Sequence, residues 1–139
     1  MESLYAYALL FCEGYDIWDL YSKELDKLFL DDPENDTYLL LELTTDIKQT
    51  ISHIFSIINK ETFDVEIFGR TLMKLISDIY KNSDLQDFAK HMYALWKRLP
   101  GFIDEQEPFF ILSYADDCLS YGDETQCRKL YEEAMNYYG

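Results

Sequence analysis

Apolar residues recur at intervals of three and four along nearly the whole chain, the spacing that keeps them on one face of a helix turning every ~3.6 residues. Val65, Phe68, Leu72, Leu75, Ile76 and Ile79 follow it, and Leu85, Phe88, Met92, Leu95, Trp96 and Leu99 repeat it. Between Asp36 and Asn59, the positions Leu40, Leu43, Ile47, Ile51, Ile54 and Ile58 trace a longer stripe. The β-branched pair Thr44-Thr45 is placed to bend or interrupt it.

Caps and breakers divide this pattern. Gly14 closes a first helix near Ser3 to Glu13, and Asp16 with Asp19 makes an acidic start to a second that runs to about Leu30. Asp31-Asp32-Pro33-Glu34-Asn35 reads as a loop, with Asp36 as the cap of the next helix. Asp64 and Ser83 or Asp84 are placed to cap the fourth and fifth helices, and Pro100-Gly101 ends the fifth. Pro108 suits the first turn of a sixth, Gly122 its stop, and Asp123 caps a seventh that runs to Tyr138. The expected fold is all-α, a compact antiparallel array of about six to seven helices in a single domain over residues 1–139.

With 48% apolar and 17% aromatic residues, a chain of 139 can bury one substantial core, which sets it apart from the disordered acidic chains that lack both. The apolar run in residues 1–12 follows Glu2 rather than a basic segment, and no small-residue cleavage site comes after it, so it does not read as a secretory signal. It is also too short to span a bilayer. Cys12, Cys118 and Cys127 form no CxxC pair, which points to neither a disulfide framework nor a zinc site, and a reducing cytoplasm is expected.

Charge constrains the partner rather than the fold. Against 12 Lys and Arg stand 27 Asp and Glu, a formal net of −15, which repels nucleic acid and membrane surfaces and attracts basic proteins. The acidity belongs to the two ends: residues 1–47 hold 12 acids and 2 bases, residues 99–139 hold 9 and 2, and the stretch between has a slight basic excess. If the ends pack together they form one acidic face; the alternative is that both segments surround the core evenly.

Two acidic groups are candidates for contact with a partner. The first is Asp31, Asp32 and Glu34. An EF-hand reading from Asp32 fails, because Thr37 stands where the sharp turn needs glycine and Leu43 where a bidentate glutamate belongs. The second is Asp104, Glu105, Asp116 and Asp117, interleaved with Tyr114 and Tyr121, which add rigid apolar area and a hydroxyl beside the charge. The ordinary alternative is that such acids are solvated or serve helix starts, Glu105 and Glu107 among them.

Nothing marks an enzyme. His53 and His91 stand alone on helical segments, the adjacent Asp116 and Asp117 point about 100° apart on a helix, and the glycine-rich phosphate-binding patterns are missing. No cofactor or metal is implied. Arg128 and Lys129 lie near Glu132 and Glu133, where salt bridges one turn apart are expected, so direct nucleic-acid binding has no basis.

Small size, acidity, Tyr-rich helices and the lack of a signal peptide together resemble the immunity proteins of bacterial toxin systems, those of contact-dependent inhibition and of colicin-like nucleases. The resemblance covers the chain as a class and carries no diagnostic motif, so no residue role is transferred by it. It implies a cytoplasmic, non-enzymatic antitoxin that binds and neutralises a cognate basic toxin, a nuclease, through an acidic Tyr-containing face. Two other functions fit the same features: an acidic nucleic-acid mimic that inhibits a host defence enzyme, and a helical adaptor module.

Overall fold

The computed structural model describes residues 1–139 as nine α-helices and one 3-10 helix, with no strand. Its contacts divide the chain into two compact units, Met1–Asp64 and Val65–Gly139.

The first unit contains α1 (Glu2–Cys12), α2 (Trp18–Asp31), α3 (Asp36–Leu43) and α4 (Ile47–Ile57). Helix α1 has no polar stripe to speak of, and Leu4, Tyr5, Ala6, Ala8, Leu9 and Leu10 are all 0% exposed. A helix apolar all round belongs inside, and α1 packs against both α2 and α4. Gly14 closes it with φ +90, as its sequence position implied. Helix α2 contributes Tyr21 and Leu25 to this core, and α4 contributes Ile51 and Ile54.

The long stripe of residues 40–58 is two helices. Thr44 is extended at φ −88 and ψ 124, and its hydroxyl donates to the Leu40 oxygen at 2.7 Å. Asp46 then starts α4 by accepting from the Lys48 amide at 2.9 Å. Because the chain restarts there, the stripe does not stay on one face: Ile51 and Ile54 are buried, whereas Leu40 and Leu43 are exposed. The cap of α3 is Asn35 rather than Asp36, since the Asn35 Oδ1 accepts from the amides of Thr37 and Tyr38. Asp36 becomes the first helical residue, where its charge favours the macrodipole.

The second unit contains α5 (Val65–Lys81), α6 (Leu85–Lys97), α7 (Gly101–Asp104), α8 (Ile111–Tyr114), the 3-10 helix Ala115–Tyr121 and α9 (Glu124–Met135). Phe68, Leu72, Met73 and Ile76 form the buried stripe of α5, and Leu85, Phe88, Met92 and Leu95 that of α6. Phe88 sits edge-on to Tyr80 at 5.2 Å and to Tyr131 of α9 at 5.0 Å. Asp84 and Asp123 cap α6 and α9 through the amides of Asp87 and Gln126. Gly69, in the middle of α5, lies directly under the Tyr138 ring, where a side chain would collide with it.

The expected sixth helix from Pro108 to Gly122 is replaced by a turn after the cis Glu107-Pro108 bond, the single turn of α8 and the 3-10 helix, ended by Gly122 at φ +79. Phe109, Ile111 and Leu112 form an almost continuous buried run, which a tightened, irregular path accommodates better than one α-helical face. Pro100-Gly101 opens α7 instead of merely ending α6, so the expected six to seven helices become nine.

Candidate functional site

The two acidic groups lie in different units. The first spans the α2–α3 connection. Asp31 is the last residue of α2, Asp32 follows it, and both are exposed with Glu34. The loop is fixed from within: the Asn35 amide donates to the Asp32 main-chain oxygen at 3.1 Å, and the Asn35 side-chain amide donates to Asp32 Oδ2 at 3.3 Å. Two acids at a helix C-terminus, with no base in its last turn, face the negative end of the macrodipole. Their placement therefore costs helix stability rather than adding to it. Tyr38 joins this group, its hydroxyl pKa raised by partial burial, then by the charges of Asp32 and Glu2. Sequence spacing alone gave no reason to single out Tyr38.

In the second unit the structure joins the main chain of Asp104 to Tyr114 through aromatic residues. The Trp96 indole donates from Nε1 to the Asp104 main-chain oxygen at 2.8 Å, which ties α6 to α7. Tyr93 stacks on Trp96 at 6.1 Å, Phe110 meets Trp96 edge-on at 6.3 Å, and Tyr114 tilts against Phe110 at 5.6 Å. Tyr93 and Phe110 are exposed, so the run is open to solvent along part of its length. Glu105 follows α7 at its C-terminal side and does not serve a helix start.

Asp116 and Asp117 begin the 3-10 helix, and their surroundings differ. Asp117 is exposed, whereas Asp116 is half-buried with Oδ1 shut off from solvent and without a hydrogen-bond partner. Burial first, and the neighbouring Asp117 charge, raise the Asp116 pKa against a lowering hydrogen bond from its own backbone. The buried Tyr131 hydroxyl, also without a partner, is pushed far up by burial and by the nearby Cys127 and Asp116. The Cys127 thiol is pushed up to about 11, mainly by burial. Asp116 also borders a cleft of about 410 Å³ that Lys90, Tyr93 and Ser120 share. Tyr121, 74% exposed, stands at the end of the 3-10 helix.

The ion pairs of this unit use other acids. Arg70 meets Glu66 at 3.6 Å, His91 meets Asp87 at 3.7 Å, and Arg128 meets Glu124 at 2.8 Å. Arg128 thus pairs one turn back and donates to the Tyr80 hydroxyl at 3.3 Å, instead of reaching Glu132 as its spacing implied. Asp31, Asp32, Glu34, Asp104, Glu105 and Asp117 have no cationic side chain against them. The first unit holds 14 acids and 4 bases, a net of −10, and the second 13 and 8, a net of −5.

No group of three His, Cys, Asp or Glu side chains is arranged to hold a metal ion, and no helix is long and apolar enough to cross a membrane. What the two groups can do chemically is present carboxylates without cationic partners beside exposed aromatic and aliphatic surface. Comparison with protein-family models, with curated proteins and with solved structures finds no match to this chain.

Proposed function

We propose that this chain is a non-enzymatic inhibitor of the immunity type, which binds and neutralises a cognate basic bacterial toxin, a nuclease. The observation that carries the reading is the set of carboxylates without cationic partners at Asp31, Asp32, Glu34, Asp104, Glu105 and Asp117. Asp31 sits where the α2 dipole opposes it and has no partner in the fold, whereas Asp32 also accepts from the Asn35 side chain, so the fold gives no reason for the charge of Asp31. A nuclease presents cationic side chains to phosphates, and the same side chains attract a carboxylate surface. In the second group, Tyr114 and the aromatic run from Tyr93 to Phe110 supply the rigid contact area that anchors an interface, with Asp104 and Glu105 beside it.

The test is capture of partners from the native organism on the tagged chain at low and high salt, with identification by mass spectrometry. The expected result is one basic protein, retained in stoichiometric amount and partly released by salt. That protein, purified, should degrade nucleic acid and lose the activity when the chain is added. Retention of no basic protein, or a captured nuclease whose activity the chain leaves unchanged, overturns the proposal.

A further inference from the structure

Helices α2 and α3 run back from the Pro33-Glu34 turn and enclose a cleft of about 360 Å³ lined by Asp26, Phe29, Leu30 and Glu42. Asp26, Phe29 and Leu30 are spaced by three and four on α2 and share one face of it. Leu39, Glu42 and Leu43 have the same spacing on α3. Leu30 is 76% exposed, Leu43 72% and Leu39 44%. Leu30 lines the cleft with Phe29, and Leu39 and Leu43 are exposed on the helix that supplies Glu42; apolar surface left in water in this way marks a contact surface.

The same cleft holds a carboxyl pair. Glu42 lies against Asp26, and partial burial, their shared hydrogen bond and the Asp26 charge together raise the Glu42 pKa. Two carboxyl groups held together repel when both are ionised, and a cationic group bound between them removes that repulsion. The cleft therefore combines an apolar wall with a charge centre that lacks its counter-ion.

We infer that this cleft is a docking groove for a cationic amphipathic helix of a protein partner, seating an apolar side chain against Phe29 and Leu30, with Leu39 and Leu43 on the same face of α3 as Glu42 extending the contact, and a Lys or Arg at the Asp26/Glu42 pair. The inference rests on the inhibitor reading and specifies how the partner is held. Charge complementarity selects the occupant. The unit that carries the cleft has a net charge of −10, so a second copy would bring two carboxyl pairs together, and an anionic lipid or nucleic acid would be repelled. An amphipathic helix supplies apolar residues at three and four with basic residues beside them, the pattern that matches two helices that each carry apolar residues and a carboxylate at that spacing.

The test uses the full chain and a synthetic amphipathic peptide of Leu and Lys about four turns long, with a Leu and Glu peptide of the same spacing as control. The Leu–Lys peptide should shift the NMR methyl signals of Leu30, Leu39 and Leu43. Leu30→Ser with Leu43→Ser should weaken that binding at least about tenfold. These side chains are mostly in water, so the variant should retain the helical circular dichroism of the parent. Asp26→Asn with Glu42→Gln should weaken it several-fold and abolish the preference for Lys over Glu, whereas Glu132→Gln with Glu133→Gln on α9 should leave binding unchanged. Failure of the Leu–Lys peptide to bind, shifts confined to the second unit, or equal binding of both peptides overturns the inference. A dimer of the chain that Leu30→Ser and Leu43→Ser dissociate overturns it too, and assigns the cleft to a second copy. The two proposals fail separately: a captured toxin inhibited equally by the parent and by the serine variant refutes the groove alone. Peptide binding at the cleft with no toxin retained refutes the inhibitor reading alone.

Discussion

The Trp96 indole donates its Nε1 proton to the main-chain oxygen of Asp104 at 2.8 Å, so one side chain of α6 holds the four-residue helix α7 in place. A helix of one turn has too few internal bonds to persist unaided. Trp96→Phe keeps an aromatic ring between Tyr93 and Phe110 and removes this bond. It should cost about 1 kcal/mol in urea unfolding and raise hydrogen exchange in residues 101–104 above that of α6. Unchanged exchange there would mean that Ile103, fully buried, fixes the turn by itself.

Gly69 and Tyr138 form a second coupled pair. Alanine in place of glycine within an exposed helix stabilises by about 1 kcal/mol, but here the new methyl collides with the Tyr138 ring. Gly69→Ala should therefore stabilise in a Tyr138→Ala background and give a smaller or opposite change in the parent. A double-mutant cycle by chemical denaturation measures the difference, expected at about 1–2 kcal/mol. Additive effects would show that the ring moves aside without loss.

The raised pKa of Glu42 fixes the sign of a pH effect. In the interval just above the ordinary glutamate pKa the folded chain holds a proton that the unfolded chain has released, so this group's contribution to stability falls as pH rises through the interval. Glu42→Gln removes the titration. Its melting temperature should exceed the parent's at neutral pH, and the gap should close toward pH 4 as the parent's carboxyl pair takes up its proton. A constant gap would show that neither burial nor Asp26 raises the Glu42 pKa.

Tyr131 offers a test of buried polarity. Its hydroxyl is enclosed without a partner, so Tyr131→Phe should leave stability unchanged or raise it by up to ~1 kcal/mol, whereas Tyr131→Ala should cost about 3–5 kcal/mol through the cavity beside Phe88. A loss on Tyr131→Phe would show that the hydroxyl does have a hydrogen-bond partner in the folded chain. The same enclosure predicts thiol reactivity: Cys12, half-buried, should react first with a disulfide reagent at pH 8. Cys127, with its thiol pushed up to about 11, should react only on unfolding.

Asp31, Asp32 and Glu34 predict kinetics of association. Reversal of all three to Lys should slow binding of the captured toxin by about tenfold or more at low salt, with a smaller effect on dissociation, because exposed charges act on encounter. It should also stabilise α2 slightly, since Lys favours a helix C-terminus. An unchanged association rate would remove this loop from the interface.

The helical character of the chain was legible from its periodicity, and Gly14, Asp84, Gly122 and Asp123 act where their chemistry places them. The region from Gly101 to Tyr121 was not, because Phe109, Phe110, Ile111 and Leu112 form an unbroken apolar run whose period cannot separate an α-helix from a turn followed by a 3-10 helix. Asn35 and Asp36 are both good caps, and only the extended backbone of Asn35 decides between them. The carboxyl pair was invisible for another reason: Asp26 and Glu42 meet across a helical hairpin, and no local spacing announces such a meeting. Leu43 misled in the same way, since a stripe that continues in sequence need not continue in space once Asp46 restarts the helix.

Helix α1 carries a consequence for how the chain is made. It leaves the ribosome before α2 and α4, the helices that cover it, and until both have emerged its leucines, alanines and Tyr5 have no protein surface to meet. The most apolar segment of the first unit is thus the one that waits longest for its neighbours. During that interval the nascent chain exposes its most apolar helix, a segment open to chaperone capture or aggregation.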